Sequence, residues 1–126
     1  MEKTIVIVGA SADRRKYGNK AVRAFRDGGW KVYPVNPKEK IIEGIRCYAS
    51  LKEIPAPVDR VSLYVPPSVG RKILDDIVAL QPKEVFFNPG SEDDDLIREA
   101  ERRGLPVVQA CSIVNIGLRP EMYGDT

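Results

Sequence analysis

The segment TIVIVGAS, residues 4–11, decides the fold class of this chain. Residues 4–8 are a short run of β-branched residues, which predicts the first strand. Gly9, Ala10 and Ser11 follow directly and are small, as is typical of a tight turn from a strand into a helix. Apolar residues then recur at helical spacing in residues 19–27. The chain is therefore predicted to begin with a strand, a loop and a helix.

The same alternation of short strands and helical segments continues to the end of the chain. The other predicted strands are residues 31–35, 60–65, 84–87 and 106–109. A hairpin or loop is predicted at residues 41–44, and residues 50–53 have the spacing of a helix capping box. We therefore predict an α/β fold in a single domain over residues 1–126, a Rossmann-like, doubly wound, mainly parallel five-stranded sheet with helices on both faces. Right-handed crossovers predict the strand order 3-2-1-4-5.

Composition and charge exclude several classes of function. Twenty Lys and Arg residues oppose eighteen Asp and Glu residues, a formal charge of +2, so no nucleic-acid partner is expected. No apolar run approaches the roughly 18 residues of a membrane-spanning helix, so the chain is expected to be cytoplasmic and without a membrane partner. Histidine is absent, which excludes Ser-His-Asp and Cys-His catalysis and imidazole metal sites.

Two other groups of residues have a structural interpretation. Cys47 and Cys111 lack CxxC spacing and are expected to be free thiols. The acidic run at residues 92–95 fits the start of a helix, where carboxylates interact favourably with the helix dipole. No metal site is therefore predicted.

The segments that follow the predicted strands indicate a binding surface. Ligands of open α/β sheets bind beyond the carboxyl ends of the strands, and here these ends carry small residues and prolines with almost no acid or base. Backbone N–H groups and helix N-termini at such an edge favour a phosphate, and residues 14–16 add positive charge. Asn36, Pro37 and Lys38 follow the second strand, where an NAD site would have a carboxylate that binds the ribose. This favours a phosphorylated ribose, as in NADP or coenzyme A.

Several short motifs, spread over nearly the whole chain, carry a family resemblance. They are residues 8–11 (VGAS), 18–19 (GN), 33–37 (YPVNP), 48–51 (YASL), 54–55 (IP), 58–59 (VD) and 104–105 (GL). On these motifs the chain resembles the stand-alone CoA-binding domain proteins, and it is similar to the N-terminal, nucleotide-binding domain of the succinyl-CoA synthetase alpha subunit.

The resemblance implies a domain that binds coenzyme A without a covalent bond. The implied phosphate loop is Gly9, Ala10, Ser11, Arg14, Tyr17 and Asn19. The implied adenosine side is Asn36, Pro37 and Lys38, the apolar wall is Val65, Pro66, Pro67, Val69 and Ile73, and the fourth strand contributes Asn88, Pro89 and Gly90. Family members often carry Gln-Gly in the place of the last three residues. The synthetase uses a phosphorylated histidine, which this chain lacks, so ligase chemistry is not implied.

Three functions remain open from the sequence. The first is non-catalytic binding of coenzyme A or an acyl-CoA, as a carrier, sensor or regulator with an unknown protein partner. The second is an NADP-dependent oxidoreductase or another NADP-binding protein, and the third is a module that binds only a protein partner. Cys111 could form a mixed disulfide with the CoA thiol or be an inert thiol. Apolar residues after Cys111 could pack on a second chain in a homodimer.

Overall fold

A five-stranded parallel sheet lies at the centre of the computed structural model, which describes residues 2–126. The strands are β1 (Thr4–Val8), β2 (Lys31–Val35), β3 (Ile41–Ile42), β4 (Ile45–Arg46), β5 (Arg60–Leu63), β6 (Glu84–Phe87) and β7 (Val107–Gln109). The helices are α1 (Tyr17–Asp27), α2 (Pro67–Ala79), α3 (Asp94–Arg102) and α4 (Ser112–Asn115). The sheet has the order β2-β1-β5-β6-β7 with parallel neighbours. A hairpin or loop was predicted at residues 41–44, and β3 and β4 form a hairpin there that extends to Arg46. The predicted Rossmann-like α/β class is confirmed.

Helices cover both faces of the sheet because the strand side chains alternate between two apolar cores. In β1, Ile5 and Ile7 face one core, which also contains residues of α1 and the buried Ile113 of α4. Val6 and Val8 face the opposite core, together with residues of α2 and α3. These four side chains of β1 are at most 5% exposed, which is expected for a strand in the middle of a doubly wound sheet.

The predicted strand order 3-2-1-4-5 is wrong, because β2 is an edge strand. Pro34 lies in the middle of β2 and has no backbone N–H, so another strand beside it would lack a hydrogen bond. The segment around Tyr48 covers this edge: the Tyr48 N–H donates to the Pro34 carbonyl oxygen at 2.9 Å, and the Tyr48 carbonyl oxygen accepts from the Asn36 N–H at 3.0 Å. The third long strand, β5, pairs with β1 on the other side.

A hydrogen-bonded corner fixes β5 beside β1. The Asp59 carboxylate accepts from the Thr4 N–H at 2.8 Å and from the Thr4 hydroxyl at 3.1 Å. The Thr4 hydroxyl oxygen accepts from the Asp59 N–H at 2.9 Å. The pKa of Asp59 lies below its ordinary value, mainly because the Thr4 N–H donates a hydrogen bond to the carboxylate. The two strands therefore start together, and their carboxyl ends lie side by side at the opposite edge of the sheet.

The predicted elements match the observed ones except at their ends. The first helix begins at Tyr17 rather than Asn19, and β5 ends at Leu63 rather than Val65. The capping box at Ser50 starts only a 3-10 turn, in which the Ser50 hydroxyl accepts from the Lys52 N–H at 3.0 Å. Among residues 2–126, no helix has the length and apolar character needed to cross a membrane.

Candidate functional site

Three cavities lie along the carboxyl edge of the sheet. The central cleft has a volume of about 590 Å³ and is lined by Gly9, Ala10, Ser11, Lys16, Tyr17, Gly18, Asn36, Tyr64, Val65, Pro66, Pro89, Gly90 and Ser91. The lysine groove, about 860 Å³, lies beyond β2 and is lined by Val8, Gly9, Lys16, Val35, Asn36, Pro37, Lys38, Ala49, Ser50, Leu51, Lys52, Val65, Val69, Ile73 and Asp76. The side cavity, about 320 Å³, lies toward β7 and is lined by Tyr17, Tyr64, Asn88, Pro89, Cys111, Val114, Pro120 and Glu121.

A close approach between two glycines forms one wall of the central cleft. Gly9 follows β1 with a φ of +87°, and a Cβ there would lie 2.6 Å from the Tyr64 carbonyl oxygen. A Cβ on Gly18, in the first turn of α1, would lie 2.1 Å from the Gly9 carbonyl oxygen. Because neither position has room for a side chain, α1 begins close to the end of β1, and its N-terminus reaches the cleft.

Two helices bring uncapped N-termini to the central cleft. No side chain caps α1 at Lys16 or α2 at Pro66, and neither helix has an acidic residue in its first turn. By contrast, α3 is capped by the Asp93 carboxylate, and Asp94 and Asp95 lie in its first turn. None of the described residues that line the central cleft is acidic. The cleft therefore favours an anion, because the partial positive charge of the helix ends is not neutralised by the protein.

Two asparagines fix the loop that follows β1. Asn36 donates to the Ala10 carbonyl oxygen at 2.9 Å and accepts from the Lys38 N–H at 2.8 Å. Asn19 is fully buried and donates to the Ser11 carbonyl oxygen at 2.9 Å. Asn36 therefore lines the cleft and ties its two sides together, whereas Asn19 supports the loop from inside the protein.

The first loop does not present Arg14 to the central cleft. Two nitrogens of the Arg14 guanidinium donate to the Glu43 carboxylate, each at 3.1 Å, and a third donates to the Thr126 carbonyl oxygen at 2.8 Å. Glu43 lies in the turn between β3 and β4 and also accepts from Asn19 at 3.0 Å. The pKa of Glu43 lies below its ordinary value, mainly because Asn19 donates a hydrogen bond to the carboxylate and to a smaller extent because the Arg14 guanidinium contacts it. Lys16 is the basic residue of this loop that lines both the cleft and the groove.

The ion pair at Glu43 predicts a pH dependence of stability. The pKa of Glu43 is lower in the folded than in the unfolded chain. The ionised carboxylate therefore stabilises the fold fully at pH values above the ordinary pKa of 4.5, and this stabilisation is lost as the pH falls through the folded pKa. We expect Glu43→Gln to lower the free energy of unfolding by about 0.5–1 kcal/mol near pH 7, because Arg14 is partly exposed, and by less at a second, acidic pH below 4.5. Urea unfolding at both pH values, with Glu53→Gln as control, measures this. An equal difference at both pH values would contradict it.

The structure brings most of the predicted site residues to this edge. Those that line the central cleft or the lysine groove are Gly9, Ala10, Ser11, Tyr17, Asn36, Pro37, Lys38, Val65, Pro66, Val69, Ile73, Pro89 and Gly90. Asn88 lines the side cavity, and its amide is bonded to the Ser62 hydroxyl, the Leu63 carbonyl oxygen and the Ser112 N–H. Pro67 begins α2, and Arg14 and Asn19 line none of the three cavities.

Other lining residues lie outside the predicted set. In the cleft they are Lys16, Gly18, Tyr64 and Ser91, and in the groove they include residues 49–52 and Asp76. Lys16 belongs to the basic cluster at residues 14–16, and Gly18 to the GN motif at residues 18–19, so the sequence indicated both residues without assigning them to the site. Tyr64 directly follows β5, a position from which residues reach the carboxyl edge. Residues 49–52 reach the groove because Tyr48 pairs with the edge of β2, which no local pattern indicates.

A cleft of this kind is typical of α/β proteins that bind nucleotides at the carboxyl edge of the sheet. Residues 3–117 match the family described as the CoA binding domain, and the chain belongs to this family. It is 32% identical over 116 residues to the ADP-forming acetate–CoA ligase I of Archaeoglobus fulgidus. The alignment covers 84% of this chain but 17% of the ligase, so the chain spans a small part of that relative.

Two solved structures are similar to the chain over most of their own length. A conserved hypothetical protein of Pyrococcus furiosus aligns with a TM-score of 0.81 and 35% identity, covering 91% of this chain and 99% of the other. A protein of Thermus thermophilus aligns with a TM-score of 0.82 and 32% identity, covering 90% of this chain and 87% of the other. These two solved proteins, which align with this chain over most of their own length, therefore have the same fold.

Proposed function

We propose that this chain binds coenzyme A or an acyl-CoA without a covalent bond, in the central cleft and the lysine groove. The observation that supports this most strongly is the central cleft. Two helix N-termini without caps or acids meet there, beside the close contact of Gly9 and Gly18. Their free donors and partial positive charge suit the pyrophosphate of a nucleotide. Membership of the CoA binding domain family supports coenzyme A as that nucleotide.

The lysine groove would hold the adenosine end of the ligand. Lys38, Lys16 and Lys52 line it, with Asp76 as its acidic residue. Coenzyme A carries a phosphate on the 3′ position of its ribose, and Lys38 is our candidate to bind it. The apolar side chains of Val65, Val69 and Ile73 would pack against the adenine.

The proposed role is binding rather than catalysis. None of the described residues that line the central cleft is a carboxylate, so the cleft offers no carboxylate as general acid or base. The ligase relative is much longer than the chain, and its reaction is not carried over to this chain. A carrier, sensor or regulator of CoA compounds, acting through a protein partner, is the function we propose.

Thermal unfolding with four ligands tests the identity of the ligand. Protein freed of co-purified nucleotide is heated with saturating CoA, dephospho-CoA, NADP or NAD in parallel. A ligand at 100 times its Kd stabilises the folded state by about 2.7 kcal/mol, and we expect CoA to raise the Tm most. A rise with NADP alone would indicate an NADP-binding protein, and no response to any of the four would favour a module that binds only a protein partner.

Lys38→Ala is expected to weaken CoA binding by roughly three- to tenfold, because an exposed lysine contributes modestly to binding a phosphate. Binding of dephospho-CoA, which lacks the 3′-phosphate, should not change. Lys40→Ala is the matched control, since Lys40 is a nearby exposed lysine that does not line the groove. Calorimetric titration of wild type and both variants with both ligands measures the six affinities. An equal loss for CoA and dephospho-CoA would contradict the assignment of Lys38 to the 3′-phosphate.

A further inference from the structure

The side cavity continues the central cleft on the side away from the lysine groove. The groove and the cleft meet at Lys16 and Asn36, whereas the cleft and the side cavity meet at Tyr17, Tyr64 and Pro89. The sequence of groove, cleft and cavity follows the strand order from β2 toward β7. One elongated ligand can therefore occupy all three.

A buried hydroxyl without a hydrogen-bond partner lies at the side cavity. The Oη atom of Tyr64 is buried, and within residues 2–126 no group forms a hydrogen bond of normal geometry with it. Burial holds the pKa of Tyr64 well above its ordinary value, the Ser62 hydroxyl opposes this shift as a weak hydrogen-bond donor to the phenol oxygen, and Cys111 adds to it. Ser62 therefore leaves the proton of the Tyr64 hydroxyl without an acceptor. The phenol therefore keeps its proton, and an unpaired buried donor is destabilising. The hydroxyl is covered in the unliganded chain, so an acceptor atom of a ligand in the side cavity would satisfy this donor once the Tyr64 ring turns toward that cavity.

The chemistry of coenzyme A indicates which group reaches the side cavity. The adenosine phosphate, the pyrophosphate and the sulfur follow one another along the molecule. A molecule with its adenosine in the groove and its pyrophosphate in the cleft therefore directs its sulfur toward the side cavity. The sulfur of free CoA is a weak acceptor, whereas a carbonyl oxygen is a strong one.

We propose, on the basis of the function proposed above, that the side cavity holds the acyl-thioester end of an acyl-CoA and that the Tyr64 hydroxyl donates to the thioester carbonyl oxygen. This makes Tyr64 a specificity-determining residue, which distinguishes an acyl-CoA from free CoA. The pantetheine arm then runs past Tyr17 and Pro89, which line both the cleft and the cavity.

The walls of the side cavity favour a small, uncharged acyl group. Its volume of about 320 Å³ is at the lower end of the range of ligand pockets, roughly 300–1,000 Å³, so a long acyl chain does not fit. Tyr17 and Val114 are 58% and 56% exposed, and an acyl group would cover part of this apolar surface. Glu121 also lines the cavity and disfavours an acyl group that carries a carboxylate.

Calorimetric titration with acetyl-CoA, malonyl-CoA and desulfo-CoA tests the proposal. Desulfo-CoA has neither the sulfur nor the acyl group. We expect wild type to bind acetyl-CoA about fivefold more tightly than desulfo-CoA, and more tightly than malonyl-CoA. Tyr64→Phe should lose the preference over desulfo-CoA and keep the affinity for desulfo-CoA. Tyr33→Phe is the control, because Tyr33 is buried in β2 and lines none of the three cavities.

Two further measurements separate a role in binding from a role in folding. Unliganded Tyr64→Phe should unfold at the same temperature as wild type or higher, since the lost hydroxyl has no partner. Alkylation of Cys111 by iodoacetamide, located by peptide mass spectrometry, should be slowed several-fold by acetyl-CoA. It should not be slowed by 3′,5′-ADP, which cannot reach from the groove into the side cavity.

The outcomes separate this inference from the proposed function. Equal affinity of wild type for acetyl-CoA and desulfo-CoA, or a preference that Tyr64→Phe retains, would overturn the assignment of the side cavity while the CoA site stands. A lower Tm of unliganded Tyr64→Phe would show that the hydroxyl stabilises the fold and would also overturn it. Failure of wild type to bind any of the CoA compounds would overturn the proposed function and this inference with it.

Discussion

Gly18→Ala is expected to abolish CoA binding and to lower the free energy of unfolding by about 1–3 kcal/mol. The new Cβ would lie 2.1 Å from the carbonyl oxygen of Gly9 and 3.0 Å from its carbonyl carbon. Both are backbone atoms, so no rotamer change relieves the contact. The helix α1 must move away from β1, which takes its N-terminal N–H groups out of the central cleft. Calorimetric titration with CoA and urea unfolding measure the two effects.

Gly28→Ala is the matched control for this prediction. Gly28 follows the last turn of the same helix with a φ of −76°, and a Cβ there would first meet the end of the Ile116 side chain at 3.3 Å. Since the backbone conformation is ordinary and the neighbour is flexible, we expect little change in stability and none in CoA affinity. A Gly18→Ala protein that bound CoA as tightly as Gly28→Ala would show that the N-terminus of α1 is not part of the site.

The fold class could be predicted because each of its signals is local. A buried strand is a run of β-branched residues, and a strand that leads into a helix through a tight turn needs glycine at residues such as Gly9. All five long strands and the first three helices follow from such patterns. The position of the cleft was predictable for the same reason, because the carboxyl ends of parallel strands always meet at one edge.

The strand order predicted from handedness alone is wrong, although the sequence contains a signal for the observed order. Handedness rules allow both an order with β2 inside the sheet and one with β2 at its edge. Pro34, in the middle of β2, decides between them because it cannot donate a hydrogen bond to a further strand. The hydrogen bonds between Thr4 and Asp59, which fix β5 beside β1, join residues 55 positions apart and have no local pattern.

The parts of the site that sequence did not predict depend on distant contacts. Arg14 is predicted from its loop to bind a phosphate, but in the fold its guanidinium forms an ion pair with Glu43, 29 positions away. The side cavity is closed by residues after β7, a segment with weak hydrophobic periodicity and no predicted element. The missing partner of the Tyr64 hydroxyl is visible only once the surrounding side chains are placed. Local sequence therefore predicted which edge of the sheet carries the cleft, and tertiary packing decides which side chains line it.

Arg60→Ala is expected to lower the free energy of unfolding by about 2–5 kcal/mol, because it removes a large buried side chain together with its packing and its hydrogen bonds. The Arg60 side chain is 4% exposed, and its guanidinium contacts Glu84 at 3.2 Å and the Phe86 ring, whose centre is 4.0 Å away. It also donates to Ser112 at 3.1 Å and to Asn115 at 2.8 Å, which ties α4 to β5.

Arg60→Met keeps the apolar stem and should lose less stability than Arg60→Ala. Urea unfolding measures this, and Lys83→Ala, which removes an exposed ion pair, should change little. Equal stability of Arg60→Ala and Lys83→Ala would show that α4 is held without Arg60.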